Sequence, residues 1–213
     1  AIPSPGLPLR ACLLSGGDSR RMGRDKALLP HPAGGSWLEQ SLRRLAVLDI
    51  PISVFSRHPP HLELTERLAV QLASERAAGP EISPAPTIAA LSEPPPWEGP
   101  LMALQRLMEL HPEQRLLLCP VDMPALTTGV VQELLAVAAR EPGAIHLAHD
   151  GEQLQPLLGV YPSDASHRAS AAAAIAAGER RLQRWLDGQD FRVVGLEGTA
   201  LQNVNRPDQR WDG

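Results

Sequence analysis

Leu9-Arg10-Ala11-Cys12-Leu13-Leu14-Ser15-Gly16-Gly17-Asp18-Ser19-Arg20-Arg21-Met22-Gly23-Arg24-Asp25-Lys26 is the stretch on which the reading of this chain turns. Leu9 to Leu14 is a short apolar run that stops at Ser15-Gly16-Gly17, the pattern of a buried strand feeding a loop. Three glycines in that loop let the backbone approach a ligand closely. Basic side chains, Arg21 and Lys26 among them, share the loop with those glycines. Backbone N–H groups, guanidinium and ammonium together form a cradle for a polyphosphate. The string lacks the four-residue gap of a Walker loop, and it lacks the Gly-x-Gly-x-x-Gly of a dinucleotide fingerprint.

Working outward, strands and helices alternate. Ser36-x-x-Glu39 has capping-box spacing and opens a helix to about Leu48. Ile50 to Phe55 reads as a second strand and His61 to Leu72 as a helix. Ser83 to Pro100 is dense in proline and is expected to be a loop, a candidate lid over a ligand. Leu101 to Leu110 reads as a helix and Arg115 to Cys119 as a buried strand. Thr127 or Thr128 caps a helix through Arg140. Ala144 to Ala148 and Leu154 to Tyr161 read as strands joined across Asp150-Gly151. Two further helices, Ser163 to Ala177 and Arg180 to Leu186, precede a last strand at Phe191 to Val194. This alternation predicts an α/β fold with a mainly parallel sheet covered by helices on both faces. Residues 1–8 read as a flexible tail and 9–213 as a single domain.

The composition sets limits. The chain has 213 residues, a formal net charge of −4, 43% hydrophobic residues and only 3% aromatics. The core must therefore be aliphatic. No basic excess points to nucleic acid, and no apolar run approaches a membrane span. Cys12 and Cys119 lie in strand-like runs, as buried free thiols of a reducing, cytoplasmic compartment.

Ligands of parallel sheets bind beyond the carboxyl ends of the strands. Pro120-Val121-Asp122-Met123-Pro124 sits at such an end. Its carboxylate serves either as a helix cap or as a ligand for Mg²⁺, which prefers one or two carboxylates plus phosphate oxygens. Beside the basic glycine loop, the metal role is the reading adopted. The alternating asparagines of Gln202-Asn203-Val204-Asn205-Arg206-Pro207 read, on spacing alone, as a polar turn. His58-Pro-Pro-His61 and His146-Leu-Ala-His149 lack Cys or acidic partners at zinc spacing, and are read as non-ligating.

At these residues the chain resembles the molybdenum cofactor guanylyltransferases of the nucleotidyltransferase superfamily. Their opening motif, Leu-Ala-Gly-Gly-x-Ser-x-Arg-Met-Gly-x-Asp-Lys, is matched by Leu14 to Lys26 with Ser15 in place of Ala. Gly99-Pro100-Leu101, Cys119-Pro120-x-Asp122-x-Pro124, Ala177-Gly178-Glu179-Arg180-Arg181 and Asn203-Val204-Asn205-x-Pro207 match as well. The resemblance implies a three-layer Rossmann-like nucleotidyltransferase fold, and transfer of GMP from Mg-GTP to molybdopterin with release of pyrophosphate. It implies that Leu14, Ser15, Gly16 and Gly17 hold the guanine nucleotide, and that Lys26 and Arg21 hold its phosphates. Asp122 would bind Mg²⁺, and Asn203 and Asn205 would face the pterin or the reacting phosphate. GTP and the molybdenum cofactor are the implied ligands, with molybdoenzymes or other cofactor-biosynthesis proteins as partners. Three features depart from the family. Phe55-Ser56-Arg57 lacks its asparagine, Ser92 or Glu93 stands where it carries a nucleotide-contacting Asp, and Gln155-Pro156 replaces its His-Pro pair. The rivals are a cytidylyltransferase on the same pterin, whose relatives carry Ala-Ala-Gly at Ser15-Gly16-Gly17, a longer sugar-phosphate nucleotidyltransferase, and a non-catalytic nucleotide- or cofactor-binding module.

Overall fold

The computed structural model describes residues 6–17, 25–80 and 84–204. Seven strands form one sheet: β1 (Leu9–Leu14), β2 (Ile52–Ser56), β3 (Ile88–Ser92), β4 (Arg115–Pro120), β5 (Ile145–His149), β6 (Leu154–Pro162) and β7 (Phe191–Gly195). Their order is β3-β2-β1-β4-β6-β5-β7. Only β6 runs against its neighbours; every other pairing in the sheet is parallel. Six helices are described: α1 (Trp37–Ala46), α2 (Pro59–Ala77), α3 (Pro100–Leu110), α4 (Thr128–Ala138), α5 (Ala165–Ala176) and α6 (Leu182–Asp187).

The three layers follow from the two-residue period of the strands. Ala11 and Leu13 of β1, Ile52 and Val54 of β2, and Leu117 and Cys119 of β4 turn to one face, against α1, α2 and α4. Cys12, Phe55, Leu116 and Leu118 turn to the other, against α3, α5 and α6. The central strands are apolar on both faces because both faces are covered. Both cysteines are fully buried free thiols. Burial pushes the Cys12 thiol up to about 12 and the Cys119 thiol up to about 11.

Local signals act as their chemistry predicts. The Ser36 hydroxyl accepts from Glu39 N at 3.2 Å and starts α1. The Glu39 carboxylate turns to Arg43 Nε, at 3.1 Å. Thr127, not Thr128, caps α4, accepting from Val130 N at 3.2 Å. Gly99 has φ +103° ahead of Pro100, the first residue of α3. That backbone conformation needs glycine, and proline suits a first helical turn.

The proline-rich 83–100 stretch departs from its expected loop structure. Ile88 to Ser92 of this stretch form β3, parallel to β2 from Ile52↔Ile88 to Ser56↔Ser92. The run Ile-Ala-Ala-Leu-Ser is too short and too weakly apolar to announce a strand. It is an edge strand, and its prolines flank it rather than interrupt it. This places Glu93 directly after the strand, and its N–H donates to Ser56 O at 2.9 Å. Among the described residues, no helix is long and apolar enough to cross a membrane.

Candidate active site

The carboxyl ends of β1, β2 and β4 open into a cleft of about 480 Å³, within the size range of small-molecule sites. Leu14, Ser15, Gly16, Gly17, Lys26 and Asp122 line it, together with Glu93, Trp97 and Gly99. Every described residue of the proposed nucleotide set is therefore in one cleft. Arg21 and Asn205 lie outside the described residues.

Lys26 and Asp122 are 96 positions apart, yet Lys26 Nζ lies 3.4 Å from Asp122 Oδ2. The two side chains are 15% and 25% exposed. The Asp25 carboxylate places the lysine by accepting from Ala27 N at 3.1 Å, capping a 3-10 turn at Lys26–Leu28. The chain leaving β4 places the carboxylate: Val121 N donates to Leu14 O, and Val204 N donates to Asp122 O, both at 3.2 Å. An ammonium and a carboxylate paired without ligand are groups that a metal-bound phosphate chain can separate, taking one each. Among the described residues no group of three His, Cys, Asp or Glu side chains is arranged to hold a metal. A hard cation bound here would draw its protein oxygen from Asp122 and the rest of its shell from phosphate and water.

Glu93 is the site residue that β3 delivers and that the sequence left undecided between it and Ser92. Its side chain is 9% exposed, and Oε1 lies 3.3 Å from Arg106 Nη1. The other oxygen faces Gly16: a Cβ added there would stand 3.1 Å from Glu93 Oε2. Burial raises the Glu93 pKa, while Arg106 and Arg57 pull it back down. Trp97 Nε1 donates to Glu93 O at 2.9 Å, and the Arg57 guanidinium stands 5.1 Å from the indole ring centre. Ser92 is exposed and outside the cleft lining.

Asn203 is not among the cleft-lining residues. Its Nδ2 donates to Gln155 Oε1 at 3.1 Å, and Gln155 Nε2 donates to Asp150 Oδ2 at 2.6 Å. Gln155, which stands in for the expected histidine, thus ties the β5–β6 turn to the C-terminal segment. Two backbone N–H groups and Gln155 hold the Asp150 carboxyl below its usual range.

Sequence reasoning missed His61. Its imidazole is 1% exposed and sits beneath the glycine loop. The available signal was helical spacing: His61, Thr65 and Leu68 form the buried stripe of α2. A His on such a stripe faces inward whatever its polarity.

Solved structures with this architecture include a nucleotidyl transferase from Methanothermobacter. The chain superposes on molybdopterin-guanine dinucleotide biosynthesis protein A from Archaeoglobus fulgidus with a TM-score of 0.64 at 17% identity, covering 93% of each chain. It superposes on 4-diphosphocytidyl-2C-methyl-D-erythritol synthase from Anaerococcus prevotii with a TM-score of 0.69 at 11% identity, covering 96% and 95%. These likenesses fix the fold, and fold and sequence together make the chain a nucleotidyltransferase. The family follows from sequence. Residues 11–193 match the MobA-like NTP transferase domain. A probable molybdenum cofactor guanylyltransferase from Rhodopirellula baltica is 35% identical over 205 residues, 94% of this chain and 89% of the relative. Another so named, from Mycobacterium bovis, is 31% identical over 204 residues, 93% and 90%. The chain belongs to the MobA-like NTP transferase family.

Proposed function

We propose that this enzyme transfers GMP from Mg-GTP to the terminal phosphate of molybdopterin and releases pyrophosphate. The observation that carries this reading is the Lys26–Asp122 pair, 3.4 Å apart across the cleft, in a chain whose relatives are named for guanylyl transfer. Lys26, with Arg21 from the same loop, binds the β and γ phosphates and offsets the charge that grows on the leaving pyrophosphate. Asp122 would hold Mg²⁺, which would supply Lewis-acid charge to the triphosphate. The backbone of Leu14 to Gly17 orients the nucleotide. The acceptor is an ionised phosphate, so the chain need supply no nucleophile and no strong base. Its task is to hold attacking and leaving oxygens in line. Asn203, held by Gln155, and Asn205 are assigned to the acceptor side on the family pattern alone. The buried free thiols fit a reducing compartment, the cytoplasm.

Glu93 supports guanine as the base. Guanine presents adjacent donors, N1–H and the 2-amino group. Cytosine presents acceptors at N3 and O2, and adenine an acceptor at N1. A carboxylate matches the first pattern and repels the others. Gly16 leaves the room that the carboxylate needs: alanine there, as in the cytidylyl relatives, would press on Glu93 Oε2.

The test is pyrophosphate release with Mg²⁺ and molybdopterin, with GTP, CTP and ATP in parallel. Release with GTP alone is expected. Release with CTP would keep the mechanism and overturn the base assignment. Binding of GTP with no release from any nucleotide would move the reading to a binding module.

A further inference from the structure

His61 clamps both described ends of the phosphate-binding loop with one ring. Nδ1 lies 3.1 Å from Ser15 Oγ and 3.0 Å from Ser56 Oγ, while Nε2 lies 2.6 Å from Asp25 Oδ2. Ser15 stands at the start of the loop and Asp25 at its end. With the proton on Nε2, every polar atom in the group is satisfied. Nε2–H donates to Asp25 Oδ2. The Ser15 hydroxyl donates to Nδ1. The Ser56 hydroxyl donates to Ser15 O at 3.4 Å and accepts from His58 N at 3.1 Å. Asp25 then spends its second oxygen on Ala27 N and fixes the turn that presents Lys26. The ring itself cannot drift: it sits on the inner stripe of α2, just after the paired prolines that start the helix.

We propose that His61 is a positioning residue for nucleotide binding, holding Ser15 and the Asp25–Lys26 turn in fixed relation to each other. The inference rests on the reading of residues 14–26 as the phosphate loop, and it assigns His61 no part in the chemical step. A buried hydrogen-bonded ring at the carboxyl end of β2 is an unusual choice for pure packing, because an apolar side chain would fill the same space without needing two hydrogen-bond partners.

The experiment compares His61→Phe, His61→Gln and Asp25→Asn with the unaltered protein, by steady-state kinetics with GTP and by limited trypsin digestion without nucleotide. Phe keeps the ring's bulk and loses both hydrogen bonds. Gln extends its amide N–H to about where Nε2 stands and keeps the Asp25 arm. The expected result for His61→Phe is a KM for GTP raised about tenfold with kcat changed less than about threefold, the worth of one charge-assisted hydrogen bond in placing Lys26. His61→Gln should restore KM to within about threefold, and Asp25→Asn should reproduce the Phe phenotype. Cleavage after Arg20, Arg21 or Arg24, read by mass spectrometry, should rise at least about fivefold in His61→Phe, with cleavage at Arg140 unchanged. If His61→Phe fails to fold, Asp25→Asn carries the same test from a partly exposed position. Unchanged KM and unchanged cleavage would overturn the proposal. So would a fall in kcat alone, which would put His61 in the chemistry. Should no nucleotide be turned over, the proteolysis result still decides the clamp, and the functional reading fails separately.

Discussion

Replacing Glu93 with glutamine tests base recognition at a side chain that the sequence left undecided with Ser92. In the structure Oε1 is partly engaged by Arg106 Nη1 at 3.3 Å, while Oε2 faces the Gly16 backbone. A guanine bound against Gly16 gives this carboxylate two donors. Hydrogen bonds to a charged acceptor contribute about 1.5–3 kcal/mol each. The amide of Glu93→Gln keeps one acceptor and turns a donor toward a donor. The net loss is then about 2–3 kcal/mol, or about 30- to 150-fold in kcat/KM for GTP. Inosine triphosphate separates this from general damage, because it lacks only the 2-amino group. The unaltered enzyme should prefer GTP over inosine triphosphate by about tenfold or more, and the variant by less than about threefold. Burial raises the Glu93 pKa, so the GTP preference should fade on acidification at a pH above the ordinary glutamate range. That acid limb should vanish in the variant. Taking the ratio of the two substrates cancels titration of their phosphates. If Glu93→Gln slows both nucleotides equally, Glu93 supports Arg106 and the wall of the cleft and does not read the base.

Three other substitutions give independent checks. Asp122→Ala should lower kcat by at least about 10²- to 10³-fold. Its melting temperature should barely change, since the partly exposed pair with Lys26 contributes at most about 1 kcal/mol; full turnover would refute the metal assignment. Gly16→Ala should cut kcat/KM for GTP about tenfold, because its Cβ would lie 3.1 Å from Glu93 Oε2 and a shift of a few tenths of an ångström misaligns a reacting ligand; unchanged GTP kinetics would show that the carboxylate yields freely. His111 has its pKa lowered to about 4, by burial and then by Arg10, and Ser53 Oγ lies 2.9 Å from its Nε2. Its folded pKa is below the unfolded value near 6.5, so this contribution to stability is complete above that value and is lost as pH falls from about 6.5 to 4. At most about 3 kcal/mol is involved. His111→Gln should flatten that part of a pH series of chemical denaturation, and an identical slope would exclude His111 as its source.

Much of the fold was legible because its signals are local. Buried strands such as Leu116 to Cys119 must be apolar on both faces, and the caps at Ser36 and Thr127 are single side chains answering backbone N–H groups three residues on. β3 escaped notice for the opposite reason: its strand character comes from pairing with β2, not from its own composition. The loop after β1 stood out in the sequence because glycines and cations recur within one short segment. His61 could not, since its partners Ser15, Asp25 and Ser56 are brought together only when α2 packs on the sheet.

By itself, the sequence determined the α/β alternation, the strand-loop that opens it and the chemical types at Lys26 and Asp122. The tertiary structure decided which groups meet. It set Lys26 against Asp122 across 96 positions, turned Glu93 to Gly16 and bound Asn203 to Gln155. Hydrophobic periodicity and capping act over a few residues and are written in order along the chain. Electrostatic and hydrogen-bonded pairing depends on distance in space, and that distance exists only once the strands have taken their order in the sheet.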